Sequence, residues 1–182
     1  MKIAITGGTA GIGKALGDVY EAQGHEVLRL SRRTGHNIVS VTKIATAIET
    51  CDMFINNAQQ GYAQTDLLFE MAQRWQGTWK KIMVISTMMT QEPVCSLPGL
   101  DMDAYRLQKA TLEEAVKQIR NRRLGIRLFI VRPGDIATRP GKTVPPSADL
   151  THWAQTLVGI FDLAGDDLII PDISLGPIFR PT

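Results

Sequence analysis

A glycine-rich turn near the start of the chain most constrains what it can fold into. The segment 6–13, TGGTAGIG, follows the apolar run 3–5 and leads into 14–16, KAL, which predicts a strand, a tight turn and a helix. Glycine has no Cβ, so such a turn can bring its backbone close to a pyrophosphate, which the N–H groups and dipole of the helix start then attract. The spacing is Gly-x-x-x-Gly-x-Gly instead of the usual Gly-x-Gly-x-x-Gly. We predict a phosphate-binding turn; a plain strand-to-helix corner is the alternative.

Composition is that of an ordinary globular domain. Of the 182 residues, which we treat as one domain (1–182), 44% are hydrophobic and 21% are charged. A net charge of +2 gives no electrostatic case for binding nucleic acid or an anionic membrane. The first apolar run is too short for a signal peptide or a membrane span, so we expect a cytoplasmic location. Two cysteines and three scattered histidines predict no metal site.

The second predicted strand, 26–30, carries the signal for the choice of cofactor. Together with the helix before it, which Gly24 closes, it forms a βαβ unit with parallel strands and a right-handed crossover. An acidic residue at the end of this strand would bind both ribose hydroxyls of NAD, whereas arginines pair with a 2′-phosphate. The chain has Ser31, Arg32 and Arg33 there and no carboxylate. This predicts NADP(H) over NAD(H); two solvated surface arginines are the alternative.

Strands and helices alternate through the rest of the chain. Apolar periodicity predicts a weak third strand at 37–39 and further strands at 53–55, 82–85, 126–131 and 168–170. Helices are predicted around 44–48, 66–75, 103–122 and 153–161, with loops at 88–100 and 139–146. This alternation predicts an α/β, Rossmann-type doubly wound parallel sheet of about seven strands in the order 3-2-1-4-5-6-7, with helices on both faces.

Polar residues follow the predicted strands at the ends where a parallel sheet binds its ligands. Asn57 and Ala58 follow one strand, Ser86 and Thr87 follow the next, and 132–138, RPGDIAT, follows a third. On the helix after Thr87, Tyr105 and Lys109 lie four positions apart, which places them on one face, one turn from each other. The alternative is that Tyr105 only packs and Lys109 is a solvated charge.

This ordered set of motifs resembles the short-chain dehydrogenase/reductase family over nearly the whole chain. The matching segments are TGGTAGIG at 6–13, NNA at 56–58, ST at 86–87, YRLQK at 105–109 and RPGDIAT at 132–138. The resemblance implies an NADP(H)-dependent oxidoreductase that interconverts a carbonyl and an alcohol by hydride transfer. It also implies a homodimer or homotetramer that associates through the helix bearing Tyr105.

The resemblance assigns roles to single residues. Tyr105 is the implied general acid/base, and Lys109 is implied to depress its pKa and to hold the nicotinamide ribose. A hydroxyl at the strand end binds the carbonyl; alignment favours Thr87, with Ser86 beside it, and leaves the choice open. The implied cofactor contacts are Gly7, Thr9, Gly11, Ile12, Gly13, Ser31, Arg32, Arg33, Asn37, Ile38, Asn57, Ala58, Tyr105, Lys109, Pro133, Gly134, Ile136 and Thr138.

The chain departs from the family pattern in several places. It is much shorter than the usual member, and the family's catalytic asparagine has no evident counterpart in 66–77. Gln59 stands where a glycine is expected, and Asn37 replaces the acidic residue that reaches the adenine. The loop after Thr138 is short, which implies an open site or a lid from a partner subunit. These departures keep a second hypothesis open: an NADP(H)-binding sensor or interaction protein with little or no catalysis.

Overall fold

The protein folds around a single parallel sheet. The computed structural model describes residues 1–91, 101–138, 147–165 and 168–177. The strands are β1 (Lys2–Thr6), β2 (Glu26–Leu30), β3 (Met53–Asn56), β4 (Lys81–Ile85), β5 (Arg127–Pro133) and β6 (Asp172–Leu175). The helices are α1 (Gly11–Ala22), α2 (Val41–Ile48), α3 (Ala63–Arg74), α4 (Met102–Asn121) and α5 (Leu150–Ala164). The strand order is β2-β1-β3-β4-β5-β6, which confirms the predicted Rossmann-type class.

Helices cover both faces of the sheet, as the continuous apolar strands predicted. Phe54 points into the core that α2, α3 and α4 form on one face, and Ile55 points into the core under α1 and α5. Both side chains are fully buried. Because strands covered on both faces cannot alternate apolar and polar residues, β1, β3 and β4 are easily recognised as apolar runs in the sequence.

The predicted third strand at 37–39 is wrong, because this segment forms a turn. The Asn37 side chain accepts a hydrogen bond from the Val39 N–H (3.3 Å), and the Asn37 carbonyl accepts one from the Ser40 N–H (3.0 Å). These bonds reverse the chain directly into α2. In the part of the chain that the structure describes, β2 is therefore the edge of the sheet and six strands replace the predicted seven.

The closing strand lies later than predicted. The apolar residues at 168–170 form no strand, and Leu168 and Ile169 are 67% and 55% exposed. β6 instead begins at Asp172, whose carboxylate binds Arg120 (2.8 Å) and Arg132 (3.2 Å). The ion pairs of Asp172 and the pairing with β5 determine the position of this strand. The apolar pattern alone therefore predicted the strand too early in the sequence.

Two predicted loops lie mostly outside the described residues. Of the loop at 88–100, the structure describes a short 3-10 helix, Met88–Thr90, and Gln91; the loop at 139–146 is not described. Among the described helices, none is both long enough and apolar enough to cross a bilayer.

Candidate active site

The glycine turn connects β1 to α1 and rests on the end of β3. Gly7 and Gly11 have φ angles of +69° and +51°, in the left-handed region that glycine adopts without strain. The Thr6 hydroxyl accepts hydrogen bonds from the Asn57 N–H (3.0 Å) and the Ala58 N–H (3.1 Å). The Asn57 side-chain amide donates to the Thr6 carbonyl (2.9 Å). Asn57 and Ala58 therefore lie directly beneath the turn and fix it to the sheet.

The start of α1 is shaped to receive an anion. Ala10, the residue before the helix, provides no side-chain cap, and the first turn carries no acidic residue. Its N–H groups and the positive end of the helix dipole are therefore left for a ligand. Among the described atoms, those within 4 Å of a Cβ built on Gly11 belong to Thr138, the nearest at 3.8 Å, so Thr138, one of the implied cofactor contacts, lies beside this turn. Ile12, also predicted here, lies in the first turn of α1.

Gly13 provides a test of this packing. A Cβ at Gly13 would lie 2.5 Å from the Gly7 carbonyl oxygen and 2.7 Å from the Asn57 amide nitrogen. We expect Gly13→Ala to displace the turn, to cost roughly 1–3 kcal/mol in the free energy of unfolding and to weaken NADPH binding. Gly159→Ala is the control, because that glycine lies inside α5 with no atom within 4 Å of the added methyl, and we expect a gain of about 0.5–1 kcal/mol. Urea unfolding and NADPH titration measure both effects; equal stabilities would contradict the packing argument.

Arg29 braces the turn from the outside, although no motif marked it. Its guanidinium donates to the carbonyls of Gly8 (2.8 Å) and Lys14 (3.2 Å). It also binds the carboxylates of Asp18 (2.8 Å) and Glu21 (2.9 Å) on α1. These contacts connect β2, the glycine turn and α1. Arg29 is thus a structural arginine, although it stands only two positions before the cofactor-selecting segment.

A cleft of about 560 Å³ opens beside the turn, between the ends of β1, β2 and β3. Its volume lies within the range usual for small-molecule sites. It is lined by Thr6, Gly7, Thr9, Ala10, Leu30, Ser31, Arg32, Arg33, His36, Asn37, Ile38, Ile44, Ala58, Gln59 and Gln60. Of the predicted cofactor contacts, Gly7, Thr9, Ser31, Arg32, Arg33, Asn37, Ile38 and Ala58 line this cleft, whereas Gly11, Ile12, Gly13 and Asn57 do not. His36, Ile44 and Gln60 were not predicted, since a scattered histidine or glutamine carries no pattern.

Two unpaired arginines stand at the rim of this cleft. Arg32 and Arg33 are exposed and lie in a short 3-10 helix, Arg32–Thr34. The Ser31 hydroxyl caps this helix by accepting from the Thr34 N–H (3.3 Å). Neither guanidinium makes a hydrogen bond or ion pair within the described ranges. In contrast to Arg29, both are therefore free to bind an anionic ligand in the cleft.

Tyr105 lies close to Thr87, which follows the end of β4. Burial raises the pKa of Tyr105, and the neighbouring Thr87 side chain, which favours the ionised form, opposes this rise only partly. The depression of this pKa by Lys109 that the resemblance implies is not found, since Lys109 is not among the groups that shift it. Tyr105 therefore keeps its proton at neutral pH.

Lys109 is a buried group and not a solvated charge. Its side chain is 3% exposed, and its Nζ donates to Gln64 Oε1 (2.9 Å) and the Ile85 carbonyl (2.9 Å). Nζ lies 5.8 Å from the centroid of the Tyr105 ring, which confirms that both residues share one face of α4. Burial lowers the pKa of Lys109 to about 7, against the opposing effect of the Glu113 charge.

Gln64 binds Lys109 and lies two positions before 66–77, the segment with no evident counterpart of the family's asparagine. Its Nε2 donates to the carbonyls of Asn56 (2.7 Å) and Ile85 (3.1 Å). Because both amide hydrogens are used in this way, Oε1 must face Lys109. The Asn56 side chain donates in turn to the Gln64 carbonyl (2.9 Å). The only signal in the sequence was a polar residue on the buried face of α3.

Ser86 and Thr87 have different surroundings. The Ser86 hydroxyl donates to Glu113 (2.6 Å), whereas the Thr87 side chain influences the ionisation of Tyr105. These surroundings favour Thr87 over Ser86 as the hydroxyl beside the tyrosine.

Other predicted nicotinamide-side residues lie near the end of β5. Gly134 donates its N–H to the Leu175 carbonyl (3.0 Å), and a Cβ on it would lie 2.8 Å from the Gly176 Cα. Ile136 pairs with Ala148 in an isolated parallel bridge. Gly134, Ile136 and the strand-ending Pro133 are not among the residues that line the cleft beside the glycine turn.

Sequence comparison finds relatives over only part of the chain. No family model matches it. It is 29% identical to the human epimerase family protein SDR39U1 over 93 residues, and 28% identical to the Bos taurus protein of the same name. Each match spans 50% of this chain but only 30% of the relative.

Solved structures match the fold throughout. The alcohol dehydrogenase of Thermococcus sibiricus, complexed with 5-hydroxy-NADP, aligns with a TM-score of 0.75 and 17% identity over 100% of this chain and 99% of its own. A short-chain dehydrogenase/reductase from Vibrio parahaemolyticus aligns with a TM-score of 0.74 and 16% identity, over 95% and 98%. The NADPH-dependent 3-quinuclidinone reductase of Rhodotorula rubra gives 0.74 and 18%, over 96% and 89%. The chain has the fold of the short-chain dehydrogenases/reductases.

Proposed function

We propose that this protein is an NADP(H)-dependent oxidoreductase of the short-chain dehydrogenase/reductase family that interconverts a carbonyl and an alcohol. The observation that carries the proposal is the contact between Tyr105 and Thr87 with Lys109 one turn away, at the sheet edge that also holds the glycine turn. The Thermococcus alcohol dehydrogenase, complexed with 5-hydroxy-NADP, and the NADPH-dependent Rhodotorula reductase have the same fold, which adds support.

The cleft suits a phosphorylated dinucleotide. The start of α1 directly follows the glycine turn and has no capping side chain. Arg32 and Arg33 offer charges at the rim of the cleft that are unpaired among the described residues. A pyrophosphate would bind to the helix N–H groups, and a 2′-phosphate would pair with the arginines.

The chain's own residues supply the proton chemistry. When bound, the nicotinamide supplies or accepts the hydride. Thr87 and Tyr105 would then hold the substrate oxygen between two hydroxyls, which stabilises the negative charge that develops on it. Since Tyr105 is protonated at neutral pH, it can donate its proton to that oxygen during reduction.

The test measures the consumption of NADPH, through its absorbance, in the presence of a panel of aldehydes and ketones. We expect substrate-dependent oxidation of NADPH with at least one carbonyl class. Tight NADPH binding without oxidation by any substrate would instead favour the second candidate, an NADP(H)-binding sensor. The observation behind this candidate is that the Lys109 amine is already bound to two internal acceptors.

The cofactor preference depends on the arginine pair. We expect the double variant Arg32→Ala, Arg33→Ala to bind NADPH roughly 10- to 100-fold more weakly, with NADH binding unchanged, because only NADPH carries the 2′-phosphate. The double variant Arg122→Ala, Arg123→Ala removes the same charge from an exposed site after α4 and should change neither affinity. Fluorescence titration of the unmodified protein and the two variants with each cofactor measures all six affinities. Equal binding of NADPH and NADH by the unmodified protein would refute the assignment.

A further inference from the structure

Glu113 is a carboxylate at the centre of a hydrogen-bonded cluster beside the candidate catalytic residues. Its Oε1 accepts hydrogen bonds from the hydroxyls of Ser86 (2.6 Å) and Thr90 (2.8 Å). Its Oε2 accepts from Nε (3.0 Å) and Nη2 (2.8 Å) of Arg132 on β5. The side chains of Glu113 and Arg132 are only 12% and 10% exposed. No motif of the sequence marked this glutamate.

The two hydroxyl donors lie on either side of Thr87. Ser86 directly precedes it, and Thr90 ends the short 3-10 helix that follows it. The Thr90 hydroxyl also contacts the Thr87 carbonyl (2.9 Å), and the Met89 N–H donates to the Thr87 hydroxyl oxygen (3.3 Å). Glu113 therefore holds both ends of the segment that presents Thr87. The Met89 N–H uses one acceptor site of the Thr87 oxygen, and the hydroxyl hydrogen stays available for another partner.

The cluster keeps Glu113 charged. Burial by itself would raise the pKa of this carboxyl, but the hydrogen bonds from Arg132, Ser86 and Thr90 outweigh burial and lower the pKa. The charged groups that face it are Arg132 and Lys109, and Asp172 of β6 binds Arg132 from the other side (3.2 Å). A charged acceptor makes stronger hydrogen bonds than a neutral one, so the two hydroxyls are held firmly.

We propose that Glu113 is a positioning residue, which orients the Thr87 hydroxyl toward Tyr105 by holding Ser86 and Thr90 on either side of it. This deepens the proposed function and rests on it, since the oriented hydroxyl matters for turnover only if Thr87 and Tyr105 bind the substrate oxygen. The geometric part stands without substrate, because Ser86 and Thr90 are bound to Glu113 and Thr87 is held by Thr90 and Met89 in the free protein.

Glu113→Gln is the test, since the amide keeps the size of the side chain and loses its charge. Glu114→Gln is the matched control, because Glu114 is the next residue on α4, largely exposed and paired with Lys117 (3.5 Å). We expect Glu113→Gln to raise the pKa of Tyr105 by about one unit, measured by NMR of labelled tyrosine with Tyr105→Phe identifying the signal. We also expect kcat to fall roughly tenfold or more with NADPH affinity unchanged. The control should move neither quantity.

A Tyr105 pKa and a kcat in Glu113→Gln equal to those of the control would overturn the proposal. If Glu113→Gln does not fold, Ser86→Ala and Thr90→Val each remove one hydroxyl and leave the pair between Glu113 and Arg132 intact. Both should raise the Tyr105 pKa, and no change in either would also overturn it. Thr87→Val distinguishes a failure of the proposed function from a failure of the role of Glu113. Unchanged turnover in this variant contradicts the proposed function, while the titration of Tyr105 in Glu113→Gln still tests the role of Glu113.

Discussion

Tyr105→Phe is expected to bind NADPH as tightly as the unmodified protein and to reduce its carbonyl substrate about a hundred- to ten-thousandfold more slowly. The change deletes one oxygen and leaves the ring, so the packing of α4 and the cleft is preserved. The substrate oxygen then loses the group that donates its proton, and general acid catalysis contributes rate factors of about this size. Steady-state kinetics on the best substrate of the carbonyl panel, together with NADPH titration, measures both quantities.

Tyr62→Phe is the matched control for this experiment. Tyr62 is 46% exposed and immediately precedes α3, so losing its hydroxyl should leave turnover and binding unchanged. Turnover by Tyr105→Phe within a fewfold of the unmodified protein would remove Tyr105 from the mechanism. A parallel loss of NADPH binding would instead show that the substitution disturbs the cofactor site.

The buried half of the fold could be predicted because burial on both faces leaves a simple pattern. The apolar runs at 53–55 and 82–85 fall inside β3 and β4. The edges of the sheet were predicted less well: the strand at 26–30 matches the edge strand β2 in full, but the strands predicted at 37–39 and 168–170 are not found. An Asx turn at Asn37 replaced one strand, and the anchoring of Asp172 by two arginines moved another, and neither depends on hydrophobicity.

The candidate site shows the same division. The motifs at the strand ends predicted which residues would be near one another, because parallel strands bring their carboxyl ends to one edge. The partners that set their chemistry were not predicted. The roles of three polar residues depend on contacts that are distant in the sequence; these residues are Gln64, Glu113 and Arg29. A single sequence does not show which polar residues a fold will bury against one another. The lowered pKa of Lys109 follows from the burial of its side chain, which no motif indicates.

Substitutions of Gln64 should move the pH profile of kcat/KM in opposite directions. In the free protein Lys109 has a pKa of about 7, so it loses its charge as the pH rises through that value, and we expect kcat/KM to fall there. Gln64→Met removes one acceptor from the ammonium group, which lowers this pKa and shifts the fall to lower pH. Gln64→Glu places a carboxylate at the same position, which raises the pKa and shifts the fall to higher pH.

Opposite shifts cannot come from general structural damage, since both variants disturb the same packing. Gln73→Glu adds the same charge on an exposed position of α3 and should leave the profile unchanged. Shifts in the same direction for the two Gln64 variants, or a shift in the Gln73 control, would contradict the assignment of the profile to Lys109.

The same pKa predicts how stability depends on pH without any substrate. Burial disfavours charged Lys109 in the folded protein, and this cost is fully present below about pH 7. Between about pH 7 and pH 10 the unfolded chain still binds the proton that the folded protein has released, so the free energy of unfolding should rise with pH. Lys109→Met removes the titrating amine, and its unfolding free energy, measured by urea denaturation, should lack this contribution to the rise. A constant difference between the two proteins across this range would show that Lys109 keeps an ordinary pKa, and the charge loss near pH 7 would then have to belong to another group.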